Sequence, residues 1–197
     1  HLRVPVRSRA ILPGVPGGSR CGQGRSMRAM CAVTICKTEL PVRPTILALD
    51  LEGTLISNAI SQIPRPGLRS FLDEMRSNFD SLVLFTTVPK DRAQAIGTLL
   101  AKEGSVPAWF SGLQYIDWSG KTKDLRYVSP YLGNALLLDD HGPYVHPGQE
   151  HLWVEIPLFG SPYPPDDDGL EVASRLIRAR ISELISASNE TRRTEPH

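Results

Sequence analysis

The sequence predicts an α/β domain built on a mainly parallel sheet, with helices on both faces and no large cap domain. Three observations carry that prediction. Ile46-Leu47-Ala48-Leu49, Leu82-Val83-Leu84-Phe85 and Ala135-Leu136-Leu137-Leu138 are wholly apolar runs, the mark of strands buried on both faces. Segments with helical spacing stand between them, as alternating strands and helices require. Each run also ends in polar groups: Asp50, then Thr86-Thr87, then Asp139-Asp140. Parallel sheets hold their ligands at that carboxyl edge.

The remaining elements follow in order. After the breaker Pro64-Arg65-Pro66-Gly67, Leu68, Phe71, Leu72, Met75 and Phe79 recur at helical spacing. Asp91 is placed to cap a second helix carrying Ala95, Ile96, Leu99 and Leu100. Trp109 to Trp118 reads as irregular, with one or two short strands. Leu152-Trp153-Val154-Glu155-Ile156 reads as a fourth strand. A Pro/Asp-rich loop, Pro162 to Asp168, precedes a last helix whose apolar stripe is Leu170, Ala173, Leu176, Ile177, Ile181, Leu184 and Ile185.

The domain is expected over residues 41–188, with a flexible tail at 189–197. Residues 1–40 differ: they hold six arginines and Lys37, no acid before Glu39, and a Pro/Gly block at 13–18. They read as a basic, disordered leader, either an organelle transit peptide or a stretch upstream of a start near Met27 or Met30. Cys21, Cys31 and Cys36 are the three cysteines; an odd number, all in or near that leader, suits reduced thiols better than a disulfide framework. The expected setting is cytoplasmic, with the nucleus, or an organelle for a true transit peptide, as alternatives. A net charge of +1 argues against general nucleic-acid binding. No apolar run is long enough for a transmembrane helix, so no membrane partner is expected.

The chemistry sits at the strand ends. In an extended segment residues 50 and 52 share one side, so Asp50 and Glu52 can divide labour. One carboxylate can attack phosphorus, and the other can protonate the leaving oxygen and then activate water. Gly53 lets the backbone turn toward phosphate oxygens. Thr86 and Thr87 offer hydroxyls and amides. Lys123, with Lys121 as the alternative, would neutralise phosphate charge. Asp139 and Asp140 suit a hard cation such as Mg2+. Ordinary readings stand beside these: an acidic turn, strand-end threonines, a solvated lysine. His141, His146 and His151, five apart, match no common zinc spacing. Arg175, Arg178 and Arg180 read as a solvated helix face. Trp109, Tyr115, Trp118 and Tyr144 either line an entrance or pack the core.

Asp-x-Glu-Gly-Thr, then strand-Thr, then Lys, then strand-Asp-Asp resembles the four motifs of the haloacid dehalogenase (HAD) superfamily, from about Thr45 to Ile156. Leu84-Phe85-Thr86-Thr87, Lys123-Asp124-Leu125 and Leu138-Asp139-Asp140 are similar to its branch of NLI-interacting-factor and RNA polymerase II carboxy-terminal-domain phosphatases. The resemblance implies a Rossmann-like fold and a magnesium-dependent phosphomonoester hydrolase working through an aspartyl-phosphate. Asp50 would be nucleophile and metal ligand, and Glu52 acid/base, giving its backbone carbonyl to the metal. Thr86 and Lys123 would hold the phosphoryl group, and Asp139 and Asp140 would serve the metal. The usual second acid is aspartate; Glu52 is one methylene longer, as in members resembling phosphoserine phosphatases. The gaps Thr54–Ser81 and Thr87–Lys123 are too short for a large lid, which points to a bulky or macromolecular substrate such as a phosphoprotein. The alternatives are phosphotransfer by the same chemistry, a non-catalytic scaffold for a phosphorylated partner and, more remotely, a nucleic-acid-binding module.

Overall fold

The computed structural model describes residues 43–194. The leader, residues 1–40, with its three cysteines, lies outside the described residues. Five strands form one sheet: β1 (Ile46–Leu49), β2 (Ser81–Leu84), β3 (Gln114–Tyr115), β4 (Ala135–Asp139) and β5 (Trp153–Glu155). All pairs are parallel, in the order β3-β2-β1-β4-β5. The chain leaves central β1 toward β2 and β3, then returns to β4 on the other side. The switch point, where such sheets open a crevice, therefore lies between β1 and β4. Leu49 is in register with Leu84 on one side and Leu138 on the other.

Residues 47–49 of β1 and all of β4 are buried without a break. Successive strand residues point to opposite faces, so both faces are covered. Each fully buried leucine contributes roughly 1.5–3 kcal/mol of transfer free energy. The apolar runs thus became strands because only a sheet covered on both sides removes every one of their side chains from water.

Among the described residues three α-helices accompany the sheet: α1 (Leu68–Asn78), α2 (Lys90–Lys102) and α3 (Gly169–Thr194). In α1 the buried residues are Leu68, Phe71, Leu72 and Met75, the expected stripe, and Phe79 is buried at its C-cap. In α2 the stripe is rotated. Ala93, Ile96, Gly97 and Leu100 are buried, whereas Ala95 and Leu99 are exposed. The reason is the 3₁₀ turn Ala108–Gly112, against which α2 packs. A Cβ on Gly97 would lie 3.5 Å from the Ser111 backbone, so the small residue marks the close face. Asp91 does not cap α2: Pro89 occupies the cap position and Asp91 sits exposed in the first turn, where its charge favours the helix dipole.

The fourth expected strand is shorter than its pattern, because a 3₁₀ turn takes Glu150–Leu152 before β5 begins. α3 packs on α1 and β5 through Leu170, Ala173 and Ile177, while Leu176 is exposed. It runs to Thr194, into the segment expected to be a tail; residues 195–197 lie outside the described residues. Among the described residues no helix is long and apolar enough to cross a membrane.

Candidate active site

Asp50 follows buried Leu49, and its backbone N–H donates to the Leu138 carbonyl at 3.0 Å, joining the ends of β1 and β4. Asp139 is the last residue of β4 and is fully buried. The two carboxylates meet on Lys123, whose Nζ lies 2.7 Å from Asp50 Oδ1 and 2.5 Å from Asp139 Oδ2. Lys123 is itself buried, held where its N–H donates to the Tyr144 carbonyl at 2.7 Å, with its Nζ 5.6 Å from the centre of the Tyr144 ring. Lys121, the alternative, is exposed. Asp140 completes the cluster: its Oδ1 accepts from Thr54 Oγ1 at 2.9 Å. Each of Asp50, Asp139 and Asp140 has an oxygen within 4.8 Å of the others'.

Burial pushes the carboxyls of Asp50, Asp139 and Asp140 above the ordinary aspartate range. Lys123 opposes that rise at Asp50 and Asp139, the Asp139 charge adds to it at Asp50, and a hydrogen bond from Thr86 lowers Asp50 again. One ammonium group faces three carboxylates, so the ionised cluster carries two uncompensated negative charges in a desolvated place. Buried charge of that kind calls for a partner. A divalent cation with oxygen ligands fits both the charge and the donor set.

The other predicted residues surround this cluster unevenly. Gly53 adopts φ 75°, and a Cβ there would lie 2.7 Å from both an Asp140 oxygen and Leu158 Cδ1, so only glycine fits. Thr86 is buried; its Oγ1 accepts from the Val88 N–H at 3.3 Å and its carbonyl from Trp118 Nε1 at 3.0 Å. Thr87 is exposed and lines an open cleft with Tyr115, Asp117 and Trp118. Glu52 is half-buried, and its carboxylate accepts from the Ala59 N–H at 2.5 Å instead of joining the three aspartates. The histidines belong to no metal-ligating cluster among the described residues. His141 serves through its backbone N–H, which donates to Asp139 Oδ1 at 2.8 Å. Trp109, Tyr115 and Trp118 pack against the core, Tyr115 and Trp118 also lining the cleft, and Tyr144 stands beside Lys123.

Several contributors had no role assigned from the sequence, although Thr54 closes the first motif. Thr54 holds Asp140, Trp153 Nε1 donates to the Asp139 carbonyl at 2.9 Å, and Arg65 is buried behind the Gly53–Leu55 turn. The tryptophan–carbonyl bonds carry no sequence signal, since they join residues 14 and 32 positions apart.

No curated protein matches this chain. Among solved structures it is similar to the fission yeast RNA polymerase II CTD phosphatase Fcp1 bound to beryllium fluoride, at 15% identity and a TM-score of 0.43. That match covers 77% of this chain and 54% of the Fcp1 chain, so this protein spans about half of that structure's length. Residues 45–187 match the NLI interacting factor-like phosphatase family, and they contain all five strands and the whole acidic cluster. With that match over most of its length, the chain belongs to this family of HAD-type phosphatases.

Proposed function

We propose that the protein hydrolyses a bulky or macromolecular phosphomonoester with the help of magnesium, through an aspartyl-phosphate on Asp50. The observation that carries this reading is the meeting of Asp50, Asp139 and Asp140 around buried Lys123 at the β1–β4 switch point. Asp50, Asp139 and Asp140 would hold the ion, together with the Glu52 backbone carbonyl. A bound magnesium ion would offset phosphoryl charge.

In the first step a carboxylate oxygen of Asp50 forms a bond to phosphorus while the bond to the leaving oxygen breaks. Glu52, on leaving the Ala59 N–H that it accepts from in this structure, would give that oxygen a proton. In the second step water attacks the same phosphorus, Glu52 takes the water's proton, and Asp50 is released with inorganic phosphate. Lys123 and Thr86, with Gly53 and Thr87 amides, hold the phosphoryl oxygens. Lys123 also opposes the upward pull of burial on the Asp50 carboxyl.

The substrate class is supported by what surrounds the site. Between β1 and β2 stand one loop and α1; between β2 and β4 stand α2, short 3₁₀ turns and two-residue β3. Neither stretch contains a lid domain, and the cleft beside Thr86 and Thr87 is open. An uncovered site admits a phosphoserine or phosphothreonine on a protein surface and excludes water poorly around a small metabolite.

Hydrolysis of an aryl phosphate, with and without magnesium, tests the reading in wild type and Asp50→Asn. Magnesium-dependent release that is lost in Asp50→Asn is expected. Equal release from both proteins would remove Asp50 as nucleophile. No release from wild type on either aryl phosphate or phosphopeptides would leave a phosphate-binding scaffold.

A further inference from the structure

Arg65 is as deeply buried as any core leucine, yet it lies in a segment that reads as a helix breaker. Its guanidinium makes four hydrogen bonds. Nε and Nη2 form a two-pronged pair with Asp167, at 2.5 and 3.0 Å. Nη1 donates to the Pro157 carbonyl at 2.9 Å and to the Thr54 carbonyl at 3.3 Å. The group also sits 5.3 Å from the centre of the Phe159 ring. A buried ion pair of this kind yields little net stability against apolar side chains of the same volume. What it supplies is direction: a planar fork with donors at set angles, which lysine cannot reproduce.

The direction is toward the first motif. Three successive carbonyls of its turn are held. Gly53 O accepts from the Phe159 N–H at 2.7 Å, Thr54 O from Arg65 Nη1, and Leu55 O from the Arg65 N–H at 3.0 Å. Phe159 is the residue on which the guanidinium rests, so Arg65 bears on all three bonds. The side chain of this same turn that meets the acidic cluster is Thr54 Oγ1, on Asp140.

We infer that Arg65 is a positioning residue: with Asp167 it clamps the Gly53–Leu55 turn so that Thr54 holds the Asp140 carboxylate in place for the cation. The inference rests on the metal role of Asp140 given above. Groups that orient a metal ligand typically change metal affinity by about 10- to 100-fold when removed.

The test is direct binding of Mn2+, followed by the spectroscopic signal of the free ion, in wild type, Arg65→Lys, Thr54→Val and the double variant. Circular dichroism reports the fold of each. Amide hydrogen exchange on the metal-free proteins reports the turn. Arg65→Lys is expected to weaken Mn2+ by about ten-fold or more and to speed exchange at residues 53–56 while the sheet keeps its protection. Since both residues act through one contact, the double variant should bind no more weakly than the weaker single one. Should Arg65→Lys not fold, R65M/D167L removes both charges together and is expected to fold with the same loss of affinity. Wild-type affinity in a folded Arg65 variant, or losses that multiply in the double, would overturn the clamp and leave the proposed hydrolysis standing. No Mn2+ binding by wild type would overturn both.

Discussion

Among the described residues two cations are buried completely, Arg65 and Lys123, and they are buried for different ends. Arg65 meets one carboxylate, Asp167, face to face, with its remaining bonds to carbonyls; the pair is electrically closed. Lys123 is a point charge between Asp50 and Asp139, with Asp140 beside them, and leaves two negative charges over. Every polar atom around Arg65 has its partner within the chain. The cluster around Lys123 is balanced only when something positive comes from outside. An unbalanced charge in a dry place is costly to a fold, so it marks where the chain gives up stability for chemistry.

Removing each cation should separate the two ends. Arg65→Met leaves Asp167 and two carbonyls without their donor, and breaking one side of such a pair costs about 3–5 kcal/mol. Urea unfolding at neutral pH should show the loss as a lower midpoint at unchanged slope. R65M/D167L, which removes both charges, should recover most of it. Lys123→Met is expected to behave in the opposite way. Asp50 and Asp139 already hold protons more tightly than ordinary carboxylates and can neutralise themselves, so the fold should lose less. Activity should fall by about 10²–10³-fold, the usual effect of removing one charge-stabilising donor. A Lys123→Met enzyme with wild-type kcat would put Lys123 in the structural class with Arg65.

The sequence told these two cations apart only halfway. Lys123 could be singled out, with Lys121 as the alternative, because both precede an apolar run ending in two aspartates; the sequence alone narrowed the choice to that pair. The strands were legible for a similar reason: an unbroken apolar run has few places to go except a covered sheet. Arg65 was hidden, since Pro64-Arg65-Pro66-Gly67 carries a turn signal and the partner, Asp167, stands 102 positions away. Contacts of that range leave no periodic trace. The rotated stripe of α2 was hidden likewise: Gly97 looks like a weak helix residue until the turn at 108–112 is laid against it. Arg180, expected on a solvated face, donates to the His151 and Trp153 carbonyls, and Arg178 pairs with Glu74 of α1.

The pH response should differ in sign between the two regions, with smaller effects than the deletions above. The Arg65 guanidinium holds Asp167 below the usual carboxylate range. Its contribution to stability is full above the unfolded value near 3.8 and is lost as pH falls through the lower folded value. Burial holds Asp140 above that range. The folded chain then keeps the Asp140 proton more tightly than the unfolded chain does, so stability is lost as pH rises from below 3.8 through the folded value. In metal-free protein at neutral pH, Asp167→Asn should lower the thermal midpoint and Asp140→Asn should raise it. Both differences should shrink in acid. Midpoints that move in the same direction at neutral pH would erase the distinction between the regions.

The smallest effect is expected where a cation and a carboxylate meet in water. Lys90 Nζ and Asp117 Oδ2 stand 3.6 Å apart at the rim of the Thr86–Thr87 cleft, both largely exposed. The pair has the same chemistry as the other two, but both side chains reach solvent. Such pairs contribute at most about 0.5–1 kcal/mol and are screened by salt. Asp117→Asn should therefore leave the thermal midpoint within about 2 °C of wild type, since about 0.5 kcal/mol shifts a domain of this size by that much. Raising the ionic strength should bring the two proteins closer still. A large drop in Asp117→Asn would mean that pairing by itself stabilises this fold. A negligible one assigns the effects at Arg65 and Lys123 to their removal from water, which is what allows one of them to act as a clamp and the other to serve a charged site.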